Sequence, residues 1–374
     1  MGLSGINKAL GFLRLKPLAR NIVSLIGSFE KPVSRETSPW ERLNDIHPDT
    51  GKSCIGSNFI DQNPKYDIQV IIPVYNTEST VRQTIESVLN QKVKDCRTCI
   101  TIVNDGSPDA SAEILKEYEG KEGIEIINQE NKGLSGARNR ALQHIKARYV
   151  TFLDSDDYLP PEALQSLIDR AEATGADIVQ GSYIKILPDN TLGPTVSAGN
   201  KTGIQSMIGF PWGKLFSPEI FRNLVFPEGY WFEDTLMNLV IFPGTSENKM
   251  VSTDAPVYCY RINPNGITQS AAKKVKIIDT LWVTLRLYND CKIMNKSFRP
   301  AEYETFLNQA LMNYNRISSY GSKEINLLTF NALAEMKYSL FPSSVAPSNR
   351  LKGVHEALRQ RKAKTFFIQA KLAK

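Results

Sequence analysis

The chain has 374 residues, 41% apolar and 22% charged, which is ordinary globular usage and excludes a disordered, collagen-like or coiled-coil protein. At 41.9 kDa it makes two packed units, or one large α/β unit with a helical appendage. The formal charge of +6 is uneven: residues 1–35 hold six basic side chains against Glu30, a net of +5, residues 350–374 hold eight against Glu356, a net of +7, and the body between carries −6.

In chain order, the first periodic stretch places Ile6, Leu10 and Leu13 at helical spacing among Lys8, Arg14 and Lys16, until Pro17 interrupts it. Such a segment either lies on an anionic lipid surface or docks on the body as a basic helix. Charges break its apolar run and no small-residue cleavage site follows, which argues against a secretory signal. Residues 1–65 are therefore expected to form a basic amphipathic segment and a linker. Apolar runs such as Ile68–Val74 are too short to cross a bilayer. Five cysteines, an odd number, suit reduced thiols in a cytosolic setting, and Cys96-Arg97-Thr98-Cys99 has no second pair to make a zinc site. Neither basic end carries a helix-turn-helix, zinc-finger or aromatic stacking motif, so no nucleic-acid partner is expected.

From Tyr66 the pattern alternates. Asp67–Val74 reads as a buried strand, followed by a helix with Val81, Ile85, Val88 and Leu89 on one face. Cys99–Val103 is a second strand, and Ala110, Ile114, Leu115 and Tyr118 mark a second helix. Ile124–Ile127, then a helix with Leu134, Ala137, Ala141 and Ile145, then Tyr149–Leu153, continue the series to a helix around Leu164–Ala171 and a strand at Asp177–Gln180. This is an α/β fold with a mostly parallel sheet flanked by helices. Its ligand site belongs at the carboxyl ends of the strands, in the turns at Pro73-Val74-Tyr75-Asn76, Asn104-Asp105-Gly106-Ser107, Asn131-Lys132-Gly133 and Asp154-Ser155-Asp156-Asp157.

Two nucleotide-binding readings fail there. The first strand is followed by Pro73-Val74-Tyr75-Asn76-Thr77, not by G-x-G-x-x-G, and Gly51-Lys52-Ser53 lacks both the first glycine of a phosphate loop, where Ile46 stands, and a preceding strand. The last turn offers carboxylates instead. Asp154, Asp156 and Asp157 at one strand end repel each other, and Mg²⁺ or Mn²⁺ bridging a diphosphate relieves that repulsion. The alternative is a solvated acidic turn capping the helix that begins near Pro160 or Pro161.

The four ordered segments Val70-Ile71-Ile72-Pro73-Val74-Tyr75-Asn76, Asn104-Asp105-Gly106-Ser107-Pro108-Asp109, Asn131-Lys132-Gly133-Leu134-Ser135-Gly136-Ala137-Arg138-Asn139 and Phe152-Leu153-Asp154-Ser155-Asp156-Asp157 resemble the family 2 glycosyltransferases of the GT-A fold, with the D-x-D signature in the last. The resemblance covers residues 66–185 strongly and continues more loosely to about 270. It implies metal-dependent, inverting transfer of a sugar from a nucleotide-sugar, usually a UDP-sugar. By the same resemblance, Pro73 and Tyr75 flank the base, Asp105 bonds the uracil imide, Arg138 approaches the nucleotide, Asp154 holds the ribose, Asp156, with Asp154, ligates the metal, and Asn76 and Ser155 belong to the nucleotide-sugar site. Asn104 departs from the pattern, since many members have a second aspartate there. Chemically, Arg138 near its helix start can meet a phosphate with a charge-assisted fork.

Inverting transfer also needs a base for the acceptor hydroxyl. Gly229-Tyr230-Trp231-Phe232-Glu233-Asp234-Thr235 supplies Glu233 and Asp234, and the family pattern points to Asp234; their alternative role is to cap the helix through Leu236 and Leu239. The three aromatics are expected to raise the acids' pKa. Trp212, in Trp212-Gly213-Lys214-Leu215-Phe216, either stacks on a sugar or packs, and Arg261, after a strand at Val257–Tyr260, is placed near the diphosphate. Residues 66–270 are thus expected to form the catalytic domain. Residues 271–374 read as a helical region with a basic tail, which covers the acceptor cleft, builds an oligomer contact or meets the membrane.

The expected activity is transfer of a hexosyl or N-acetylhexosaminyl group to a glycan or lipid-linked acceptor in cell-surface polysaccharide synthesis, at the cytoplasmic face of the membrane. A nucleotidyltransferase would want a Gly-rich basic loop after the first strand, which Asn76–Thr80 is not. A non-catalytic binding module would use the same acids only as caps.

Overall fold

The computed structural model describes residues 15–373 except 28, 34–37, 264–265, 267–270, 297, 299 and 343–346; most of the expected amino-terminal amphipathic stretch lies outside the described residues. The chain forms two compact units. Helices α1 (Lys16–Gly27) and α2 (Pro39–Ile46) belong to a helical unit. The α/β unit spans 51–229 and 233–266, so residues 51–65, expected as linker, pack with the sheet, while Tyr230–Phe232 belong by their contacts to the helical unit.

In the α/β unit the strands are β1 (Phe59–Ile60), β2 (Tyr66–Val74), β3 (Thr98–Asn104), β4 (Ile124–Asn128), β5 (His144–Ile145), β6 (Ala147–Phe152), β7 (Ile178–Ile186), β8 (Leu192–Val196), β9 (Lys214–Phe216) and β10 (Met250–Arg261). β1 pairs with β5, and the others form one sheet of order β10-β7-β9-β6-β2-β3-β4, with β8 on β7. Val70 pairs in parallel with both Ile100 and Thr151, so β3, β2 and β6 end at the same edge. Seven of the nine residues of β2 are buried, which explains its continuous Val/Ile run.

Between the strands run α3 (Val81–Leu89), α4 (Ser111–Lys116), α5 (Gly133–Leu142) and α6 (Ala163–Thr174). Val81, Ile85 and Val88 of α3 and Leu164, Leu167 and Ile168 of α6 close over Ile68, Val70 and Ile72 to make the core. The mostly parallel α/β architecture holds, with two antiparallel additions: β8 pairs with β7, and β9 inserts between β6 and β7. Lys214 therefore sits inside a sheet. The five cysteines are free, and burial pushes the Cys96 thiol up to about 11 and that of Cys99 to about 12, as befits packing thiols.

The helical unit continues with α7 (Asp279–Ile293), α8 (Pro300–Ser318), α9 (Lys323–Leu340), α10 (Lys352–Arg359) and α11 (Ala363–Leu372). Its interior is aromatic: Tyr303, Phe306 and Phe341 pack around Tyr288 with ring centroids 5.2–6.1 Å apart. No helix among the described residues is long and apolar enough to cross a membrane.

Candidate active site

The turns after β2, β3 and β6 are tied into one edge. Asp105 donates its backbone N–H to the Val74 carbonyl (2.9 Å), and Thr77 donates its hydroxyl to Ser155 (3.1 Å). Thr80 and Thr84 both donate to the Ser155 carbonyl at 2.9 Å, and Thr84 also to that of Asp157 at 2.6 Å. These threonines, which sequence reasoning missed, fix the acidic turn against α3. Two backbone positions shape the turns: Asn76 at φ +56°, which an Asn tolerates, and Gly106 at φ +68°, where a Cβ would lie 3.1 Å from the Asn131 nitrogen.

At the β2 turn Tyr75 is 49% exposed, whereas Pro73 is buried inside the strand and offers no face to a ligand; of the expected pair, Tyr75 alone is open. Asp105 is buried, and its Oδ1 accepts from Gln129 (2.7 Å) and the Lys132 backbone (2.8 Å). Asn104, the departure from the family pattern, holds the turn by accepting the Ser107 N–H (3.1 Å) and donating to Asn128 (2.9 Å).

The three acids of the β6 turn differ. Asp157 faces inward, accepting the Tyr258 hydroxyl (2.8 Å) and the Arg261 N–H (2.7 Å), and burial raises its pKa well above the usual range. Asp156 is partly buried, and burial and then the charge of Asp154 push its carboxyl up to about 6. Asp154 donates its backbone N–H to Tyr258 (3.2 Å) and accepts Arg138. Ser155 is buried, and its hydroxyl, accepting that of Thr77, braces the turn.

Arg138 differs most from the sequence expectation. It is 1% exposed and does not present its fork to solvent; it joins Asp154 to Glu233, each 2.7 Å away, with the guanidinium over the Phe226 ring. Burial works against its charge, yet the two carboxylates hold it above its ordinary value. Its neighbours Ser135, Gly136 and Ala137 on α5 are buried with it. Glu233 is therefore tied to the β6 turn, which is not the helix-capping role.

Asp234 follows Glu233 and opens the next helical turn, its carbonyl accepting the Met237 N–H (2.9 Å). One charge that reaches it is Lys214, fully buried, whose ammonium donates to the Phe210 carbonyl (2.6 Å); burial pushes that lysine down to about 7, against the opposing pull of Asp234. Of the expected aromatic shell, Tyr230 donates to Asp49 (2.6 Å) and Phe232 lies under Arg316, both in the helical unit, while Arg138 bonds Glu233 and Lys214 feels the charge of Asp234. Trp212 is 7% exposed and stacks with Phe210 (4.7 Å), Tyr258 (4.4 Å) and Tyr260 (5.4 Å), so it takes the packing role of the two expected. Arg261 donates to the Asp156 carbonyl (2.5 Å) and to Gln83, with its guanidinium over Tyr158, so it clamps the acidic turn.

Residues 69–226, which carry every one of these turns, match the family model described as glycosyl transferase family 2. They are a family 2 glycosyltransferase domain. Across 220 residues the chain is 34% identical to the uncharacterized glycosyltransferase EpsJ of Bacillus subtilis, a match over 54% of this chain and 63% of EpsJ. It is likewise 34% identical to glycosyltransferase GlyA of Streptococcus pneumoniae, over 55% of this chain and 32% of GlyA. The matched segment thus spans less than two thirds of either relative. In fold, the chain resembles S. aureus TarS 1–349, solved with UDP-GlcNAc, with a TM-score of 0.61 at 18% identity over 80% of this chain and 89% of that one. The GT-A architecture of the glycosyltransferase domain and its helical carboxyl-terminal region are common to both. No cluster of three or more His, Cys, Asp or Glu suited to a metal occurs among the described residues.

Proposed function

We propose that this chain is an inverting glycosyltransferase that moves a hexosyl or N-acetylhexosaminyl group from a UDP-sugar to a hydroxyl of a glycan or lipid-linked acceptor, in the assembly of a cell-surface polysaccharide at the cytoplasmic face of the membrane. The observation that carries this reading is Arg138, which couples the acidic turn of β6 to the Glu233–Asp234 pair. One buried cation thereby sets the distance between a leaving-group site and a base. TarS, which shares the fold, is solved with UDP-GlcNAc, and this supports the choice of donor.

In this reading Tyr75 stacks on the uracil and Asp105 receives its imide N–H, with Pro73 and Asn76 forming the backbone beneath. Asp154 and Asp156 suit Mg²⁺ or Mn²⁺, which takes one or two carboxylates together with substrate phosphates. The donor set fits: Asp156 already carries the cost of an adjacent like charge, which a hard cation removes. When bound, the ion neutralises the departing diphosphate. Asp234 takes the proton from the acceptor hydroxyl as that oxygen forms its bond to the anomeric carbon, and the bond to the β-phosphate breaks with its electron pair leaving on UDP. Glu233 is the positioning group, held by Arg138. Arg261 keeps Asp156 aimed by holding its carbonyl.

The experiment is a screen of UDP-sugars with Mn²⁺, read as UDP release with a glycan or lipid-diphosphate acceptor. UDP release from at least one donor is expected. Pyrophosphate release would make the chain a nucleotidyltransferase, and no turnover or UDP binding at all would make it a binding module.

A further inference from the structure

Helix α1 is docked by the wrong face for a helix in water. Its contacts with α11 run through Arg20, Ser24 and Gly27, at i, i+4 and i+7. Arg20 donates to the Leu372 carbonyl (3.3 Å), and Gln369 donates to the Arg20 carbonyl (2.8 Å) and the Ser24 hydroxyl (3.0 Å). Gly27 fits so closely that a Cβ there would lie 2.2 Å from the Thr365 hydroxyl. Glu30, just beyond, accepts from the Lys364 and Thr365 backbones (2.8 and 2.9 Å) and from the Thr365 hydroxyl (2.7 Å), which pins the segment.

Ala19 and Val23 are half-buried, but the larger apolar residues point the other way. Leu18, Ile22, Leu25, Ile26 and Phe29, at i, i+4, i+7, i+8 and i+11, are all exposed, Leu25 at 68% and Phe29 at 86%. An amphipathic helix normally buries such a stripe in its own protein, and a contiguous exposed one marks an interaction surface. We infer that the Leu18–Phe29 stripe of α1 is seated in the headgroup region of an anionic phospholipid bilayer.

Charge and size choose that occupant. Lys16 and Lys31 bracket the stripe, α1 has no acid, and the one nearby, Glu30, is already bonded to α11. Both chain ends are strongly basic around an acidic body, the distribution an anionic plane attracts. A second copy is a poorer match. Twelve residues of helix are about 18 Å long and roughly 10 Å wide, a footprint well short of the roughly 800 Å² per partner of a stable interface. The inference deepens the proposed function by giving the surface at which transfer takes place, but its test needs no turnover.

The test is co-sedimentation of the full chain with vesicles of phosphatidylcholine alone or with phosphatidylglycerol. The wild type should bind the anionic vesicles, and Leu18→Ser/Ile22→Ser/Leu25→Ser should weaken that binding at least ten-fold with an unchanged Tm, since these side chains are already in water. Undiminished binding of the triple variant, or equal binding to neutral vesicles, would overturn the inference. So would a concentration-dependent dimer that the triple variant abolishes, which would assign the stripe to a second copy. Loss of binding on Ile6→Ser/Leu10→Ser/Leu13→Ser, with the α1 variant still bound, would assign the contact to residues 1–14. UDP release from a soluble donor should be the same in wild type and triple variant; if the wild type releases none while binding vesicles, the catalytic reading fails and this one stands.

Discussion

Asp234→Asn should lose about 10²–10⁴-fold in sugar transfer while UDP binding stays within a few-fold of wild type. That range is the usual contribution of a positioned base, and the substitution preserves the volume while removing the lone pair that takes the proton. Lys214 makes the outcome informative. It is fully buried, and the charge of Asp234 offsets part of the cost of that burial, so the Asn variant should also lower the pKa of that lysine further. Calorimetric UDP affinity and UDP release, measured on the same preparation, separate the two effects. Equal loss of binding and transfer would place Asp234 in the donor site and refute its role as base.

Arg138→Met has the largest expected effect on the fold. The substitution leaves Asp154 and Glu233, with 23% and 13% of their side chains exposed, without their shared cation. Removing one partner from a buried ionic cluster costs about 3–5 kcal/mol, which for a unit of this size lowers Tm by on the order of 10 °C. Transfer should fall with it, because both the acidic turn and the base segment lose their tether. The control is Arg138→Met/Glu233→Gln, which removes one stranded charge and should recover part of the Tm without recovering transfer. A Tm unchanged in the single variant would show that the pair is not what holds the two segments.

How far the sequence reached depended on the range of each interaction. Strands β2 and β3 were legible because burial on both faces writes a run of Val and Ile, and β6 because its second half runs apolar into Leu153; their ends then located Asp105 and Asp156 without any knowledge of tertiary contacts. Strand β9 was not, because three residues carry no period, and its lysine reads as a surface group until the sheet is seen around it. Arg138 was assigned to phosphate because its helix position favours an anion, whereas its partner Glu233 lies 95 residues away. The threonines of α3 and the Tyr258 hydroxyl gave no signal at all, since a hydroxyl that braces a turn and one that faces solvent look alike in sequence. The docking of α1 by its polar face runs against the pattern by which amphipathic helices are placed.

The central claim is that Asp156 seats a divalent ion which holds the diphosphate. The direct measurement is UDP affinity with and without Mn²⁺, in wild type and Asp156→Asn, at pH 7.5 and 5. The carboxyl is pushed up to about 6, so the folded chain holds that proton more tightly than the unfolded one; stability falls as pH rises from the ordinary carboxylate range through 6, and at pH 7.5 the full cost is present. Asp156→Asn should therefore fold with a Tm equal to or above that of wild type. The account predicts Mn²⁺-enhanced UDP binding by the wild type at pH 7.5 that weakens at pH 5 as Asp156 protonates, and no enhancement in the variant at either pH. Undiminished Mn²⁺ enhancement in a well-folded Asp156→Asn would contradict it.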